Sequence, residues 1–113
     1  MPCILVVDDS VSLRLILAEL LHDVGYEVRQ ASDGRQALDV IACGGLDLVL
    51  SDIHMPNLDG VALLQHVQAH GELLPWILMS STLRGPAHFP VPFLAKPFEV
   101  DALLELIGRE LVA

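Results

Sequence analysis

Basic residues are scarce in this sequence: six Lys and Arg stand against fifteen Asp and Glu, for a formal net charge of -9. That balance opposes attachment to the phosphate backbone of nucleic acid or to anionic lipid, so direct nucleic-acid binding is excluded as a reading. Cysteine is nearly absent as well. Cys3 and Cys43 form no CxxC and lie in unlike settings, and both read as small buried apolar groups rather than a disulfide or zinc ligands. No apolar run approaches the roughly 20 residues of a membrane span, and the start Met1-Pro2-Cys3-Ile4 carries no basic lead into a signal peptide. A soluble, cytoplasmic protein is expected. The 113 residues leave no room for a second folding unit, so 1–113 reads as one domain with no output domain. Charged types are also few, 19% against 53% hydrophobic. A core can form, and so little charge remains to cover the outside that an exposed apolar contact surface is expected.

What is present alternates. Ile4 to Val7 is a branched apolar run without polar interruption, as suits a strand covered on both faces of a parallel sheet. Leu13, Ile16, Leu17, Leu20, Leu21 and Val24 follow at helical spacing and stop at Gly25. Tyr26 to Ala31 alternates like a half-exposed strand, and Asp33 with Gln36 resembles a capping box opening a helix through Ala37, Leu38 and Ile41 to Gly44-Gly45. Leu46 to Leu50 reads as the third strand, and Asp59 as the cap of a helix through Leu63, Leu64 and Val67 that closes near Gly71. Trp76 to Met79 and Val91 to Ala95 read as strands four and five, the latter with Pro92 marking a sheet edge. The last helix carries Val100, Leu103, Leu104, Ile107 and Leu111 on one side. Strands alternating with helices demand right-handed crossovers, hence a doubly wound α/β fold with a five-stranded parallel sheet. Between strands four and five, residues 81–90 hold Gly85, Pro86 and Pro90, which predicts a loop or a single turn in place of a helix.

In a parallel sheet all carboxyl ends open on one edge, where ligands bind. Strand one ends in Asp8-Asp9, strand three leads to Asp52, strand four to Ser80 and strand five to Lys96. Three carboxylates in one crevice repel, and one ammonium cannot balance them. A hard divalent cation can, and Mg2+ keeps positions for phosphate oxygens and water beside one or two carboxylates. A carboxylate there can itself attack phosphorus, with Lys96 and Ser80 neutralising and orienting the phosphoryl oxygens. On the residues alone three other readings stay open. A flavin or nucleotide carrier would want a Gly-rich phosphate loop where Asp8-Asp9 stand; a phosphohydrolase would want a base or a cap; and a phosphorylation-independent interaction module would need only the apolar surface.

The strand end Val7-Asp8-Asp9-Ser10, the run from Asp52 through His54 to Gly60, the strand Trp76 to Ser81 and the run Lys96-Pro97-Phe98 together resemble the receiver domain of two-component response regulators. The likeness covers essentially the whole chain, in order. It implies the flavodoxin-like strand order 2-1-3-4-5, Asp52 as phosphoacceptor, Asp9 as direct metal ligand and Asp8 as one acting largely through water. His54 is implied to offer Mg2+ its backbone carbonyl, Ser80 and Lys96 to bind the phosphoryl group, and Phe93 to stand at the aromatic switch position. It further implies a histidine kinase or phosphotransfer protein as phosphohistidine donor, a downstream protein target, and signalling rather than metabolic catalysis. The family usually places a fourth helix between the serine and the lysine, whereas here only sixteen positions and three prolines separate them. The usual output surface is therefore altered. Leu15, Leu106 and Val112 lie off their helices' core stripes and suit a partner or homodimer surface. His66 and His70, four apart on one helix, lack a third ligand and read as exposed polar residues, while Trp76 and Asp59-Gly60 read as packing and as a cap with its turn, without chemistry.

Overall fold

The computed structural model describes residues 1–55, 59–69, 71, 74–80 and 91–112. Five strands, β1 (Cys3–Val7), β2 (Glu27–Ala31), β3 (Leu48–Asp52), β4 (Trp76–Ser80) and β5 (Phe93–Ala95), pair in parallel in the order β2-β1-β3-β4-β5. Among the described residues four helices accompany them: α1 (Val11–Asp23), α2 (Gly34–Ala42), α3 (Gly60–Ala69) and α4 (Val100–Val112). The expected loop at 81–90 and the partner His70 lie outside the described residues.

The three central strands β1, β3 and β4 are buried along their whole length. Their side chains alternate between two core layers. Cys3, Leu5, Val7, Val49, Trp76 and Leu78 meet residues of α2 and α3 on one face, and Ile4, Val6, Leu48, Leu50, Ile77 and Met79 meet α1 and α4 on the other. A fully buried Leu or Ile contributes about 1.5–3 kcal/mol, more than the ~1 kcal/mol of a helix cap, so packing holds the helices and the caps set where they start. Ser10 Oγ accepts from Leu13 N at 3.3 Å to open α1, and Asp59 Oδ1 accepts from Ala62 N at 2.7 Å to open α3. Asp33 Oδ1 accepts from Gln36 N, as the capping box requires, while Gln36 reaches back one residue further than that motif does, accepting from Ser32 N and Oγ. Past α2, Gly44 and Gly45 adopt φ of +76° and +83°, a left-handed turn that releases the chain toward β3 at little cost.

Several boundaries and faces differ from the sequence reading. β3 runs from Leu48 to Asp52, not from Leu46 to Leu50. The polar Ser51 and Asp52 stay in the ladder, opposite Leu78 and Met79 of β4; Ser51 Oγ donates to the Asp52 carbonyl, and Ile53 N, just past the strand, donates to Met79 O. β5 begins at Phe93, two residues later than expected, and Pro92 just precedes it with its carbonyl accepting from Leu78 N. Ile16, Val24 and Val100, expected on core faces, are exposed, whereas Leu106 packs against the α1/α4 layer instead of facing a partner. Cys3 is buried, but Cys43, expected buried, is exposed at the end of α2. Among the described residues no helix is long and apolar enough to cross a membrane.

Candidate functional site

Four of the five parallel strands deliver residues at or just past their carboxyl ends to the same edge of the sheet. Asp8 and Asp9 follow β1, Asp52 ends β3, Ser80 ends β4, and Lys96 follows β5. The sheet thus brings together all five positions predicted from the sequence. A carboxylate oxygen from each of Asp8, Asp9 and Asp52 lies within 4.8 Å of the others. Asp8, Asp52 and Ser80 are buried, while Asp9 is exposed at the rim. Lys96 Nζ contacts Asp8 Oδ2 at 2.9 Å and Asp52 Oδ1 at 3.5 Å.

Asp8 is bound on every side: its N–H donates to Ala31 O, its Oδ1 accepts from Ser10 N at 2.9 Å, its Oδ2 from Lys96, and its carbonyl from Arg14 Nη1 at 2.8 Å. Lys96 N donates to Ser80 O at 2.7 Å, which fixes the level of β5 against β4. His54, two residues past Asp52, turns its side chain to solvent and donates its backbone N–H to the Asp52 carboxylate. Phe93 is half-buried against the α2/α3 layer, three residues from the ammonium of Lys96.

Burial raises the pKa of Asp52; the Lys96 ammonium opposes this, the Asp8 carboxylate adds to it, and the N–H of His54 opposes it again. A carboxyl group whose folded-state pKa is raised costs stability when ionised. The cost is complete above the raised value, disappears as pH falls through it, and is gone once the unfolded chain is protonated too. Asp52→Asn is therefore expected to raise the melting temperature at neutral pH in EDTA, at roughly 4 °C per kcal/mol for a domain of this size. That advantage should shrink on acidification toward the ordinary carboxylate range. Melting curves of both proteins across pH check the sign.

Three anionic groups facing one ammonium suit a hard divalent cation. Oxygens on opposite sides of Mg2+ lie about 4 Å apart, given bonds of about 2.0–2.1 Å, so the cluster already stands within about an ångström of that span. The donor set is all oxygen, and the exposed side of Asp9 leaves an entry from solvent.

The profile of the "Response regulator receiver domain" family matches residues 4–108. The chain belongs to that family. It is a receiver domain of two-component signalling, a phosphoacceptor module of the kind that works with histidine kinases or phosphotransfer proteins and that binds Mg2+ at its acidic pocket. Among its relatives, Sporulation initiation phosphotransferase F of Bacillus subtilis is 33% identical over 96% of this chain and 92% of its own length. Sensor histidine kinase RcsC of Salmonella typhi is 46% identical over 93% of this chain but only 12% of its own length. In solved structures, the Thermotoga maritima response regulator TrrA in complex with Mg2+-BeF superposes with a TM-score of 0.90 at 30% identity, covering 97% of this chain and 99% of that one. Vibrio cholerae chemotaxis protein CheY4 gives 0.87 at 31%, covering 96% and 98%.

Two features of this receiver domain escaped the sequence reading. A Cβ built on Gly60 would fall on the Asp52 carbonyl oxygen, with Asp52 C at 3.0 Å and Ile53 Cα at 3.1 Å, so Gly60 lets α3 start directly against the backbone of the site. The spacing Asp52 to Gly60 within one run was the available signal, though it reads equally as a cap and its turn. Arg14 reaches the carbonyl of Asp8, and nothing in the helical pattern around it marks that role.

Proposed function

We propose that Asp52 is the acceptor of the phosphoryl group, that Asp8, Asp9, Asp52 and the backbone carbonyl of His54 are the donors available to Mg2+, and that Ser80 and Lys96 receive the phosphoryl oxygens. The observation that carries this reading is the convergence of three carboxylates and one ammonium on one sheet edge, with Asp52 both buried and reachable.

A carboxylate oxygen of Asp52 forms the new bond to phosphorus. In a phosphohistidine donor presented by a histidine kinase or phosphotransfer protein, the P–N bond breaks and the electron pair stays on the imidazole, which needs no proton from this chain. Mg2+, when bound, supplies positive charge that the single ammonium of Lys96 lacks. Lys96 is already 3.5 Å from Asp52 and shares itself with Asp8, so it can follow new negative charge at Asp52 without leaving the pocket. The Ser80 hydroxyl, at the end of β4 beside β5, is the donor suited to a phosphoryl oxygen. Added charge there draws on Ser80 and Lys96, and Phe93 on β5 is the side chain through which the change reaches a downstream partner. The adduct is the signal, so the role is a switch rather than a turnover enzyme.

Mg2+ is expected to raise the melting temperature of the wild type by adding about 2.7 kcal/mol of stability when present at a hundred times its dissociation constant. Asp9→Asn should lose most of that gain and keep the melting temperature it has in EDTA. Equal stabilisation of both proteins would remove Asp9 from the site.

A further inference from the structure

One cation beside the pocket has no part in this reading. Arg14 lies in the first turn of α1, the helix end at which the macrodipole disfavours positive charge. Its guanidinium is partly buried and forked: Nη1 donates to the carbonyl of Asp8 at 2.8 Å, and Nε donates to Gln30 Oε1 on β2 at 3.2 Å. That carbonyl belongs to the peptide linking Asp8 to Asp9. The peptide is planar, so a fixed carbonyl direction also fixes the direction in which the chain enters Asp9. Asp9 needs such control more than its neighbours. Asp8 is buried and bound by Ser10 and Lys96, and Asp52 by Lys96 and His54, whereas Asp9 is exposed and, among the described residues, has no hydrogen bond to its carboxylate.

We propose that Arg14 is a positioning residue: it clamps the Asp8–Asp9 peptide against Gln30 of β2 and so holds the Asp9 carboxylate where a divalent cation can be shared with Asp52. This rests on the metal reading above. The sign of the effect separates positioning from charge. Removing a cation near an acidic pocket should, by Coulomb's law alone, tighten the binding of a divalent cation, whereas loss of positioning should weaken it. Lysine keeps the charge but not the two-armed fork, so it should not restore the clamp.

The test is the Mg2+ dissociation constant, read from melting temperature against Mg2+ concentration, for the full chain and for Arg14→Met, Arg14→Lys and Gln30→Ala, with melting in EDTA as the control for fold. Arg14→Met is expected to weaken Mg2+ binding about tenfold, the scale on which groups orienting a metal's ligands act. Arg14→Lys should weaken it nearly as much, and Gln30→Ala, which frees one arm, less but in the same direction. Gln30 is exposed on an edge strand, so its variant carries the test even if Arg14→Met melts too low in EDTA to titrate. Unchanged or tighter Mg2+ binding in Arg14→Met and Gln30→Ala would overturn the proposal while leaving the metal site standing. A wild type that Mg2+ does not stabilise would fell both, and that shows before any variant is made.

Discussion

Incubated with acetyl phosphate and Mg2+, the wild-type chain is expected to gain the mass of one phosphoryl group, and Asp52→Ala to gain none. The effect is all or nothing because of what surrounds Asp52. Of the three clustered carboxylates, Asp8 is fully buried and both its oxygens are already hydrogen-bonded, to Ser10 N and to Lys96, so an incoming phosphorus cannot reach it from solvent. Asp9 is exposed, but the ammonium that would neutralise an incoming phosphoryl group contacts Asp8 and Asp52. Asp52 alone combines access with that ammonium and with the Ser80 hydroxyl on the adjoining strand. Intact-protein mass spectrometry reads the result directly. An adduct that persists at full occupancy in Asp52→Ala would move the acceptor elsewhere.

Gly60→Ala is expected to destabilise the domain and slow phosphoryl acceptance together. The added methyl would meet backbone, the Asp52 carbonyl and the Cα of Ile53, rather than the yielding end of a side chain. Gly60 N also donates to Ile53 O, so α3 cannot back away without losing that bond. Overpacking of this kind costs about 1–3 kcal/mol, and the strain falls on Asp52, the proposed acceptor. Gly108 provides the contrast. It lies within α4 with open space where a Cβ would go, so Gly108→Ala should stabilise by about 0.5–1 kcal/mol and leave acceptance unchanged. Thermal melts and initial rates of adduct formation on both variants separate the two cases. If Gly60→Ala melts and reacts like the wild type, close packing of α3 on Asp52 has no bearing on the site.

The site was legible because parallel strands leave a characteristic trace: a short apolar run and then a polar residue whose type matters. Asp8-Asp9, Ser80 and Lys96 each close such a run, and topology then forces them onto one edge. Asp52 is legible through its motif, but the hydrophobic pattern places β3 two residues early, because hydropathy stops at Leu50 while the ladder carries on through Ser51 and Asp52. Hydrogen bonding sets that boundary, and it leaves no mark in a hydrophobic pattern. The first helix shows the opposite difficulty. Val11, Leu13, Leu15, Ile16, Leu17, Leu20, Leu21 and Val24 cover so much of its circumference that periodicity cannot pick the buried side, and the sheet selects Leu17 and Leu21. Gly60 and Arg14 are hidden for a third reason: each acts on main-chain atoms of a residue outside its own helix, an arrangement that residue types do not encode.

The alternation of the central strands between two hydrophobic layers divides labour along the chain. The pocket's polar groups stand at strand tips, and the fully buried side chains that fill either layer lie mostly below them along the strands. A conservative exchange deep in one layer of the central strands would have to slide a strand lengthwise to move its tip, a movement resisted by every rung it shares with its neighbours. Interior and rim can accordingly vary at different tempos, joined by the backbone and by the few side chains, such as Phe93, that belong to both.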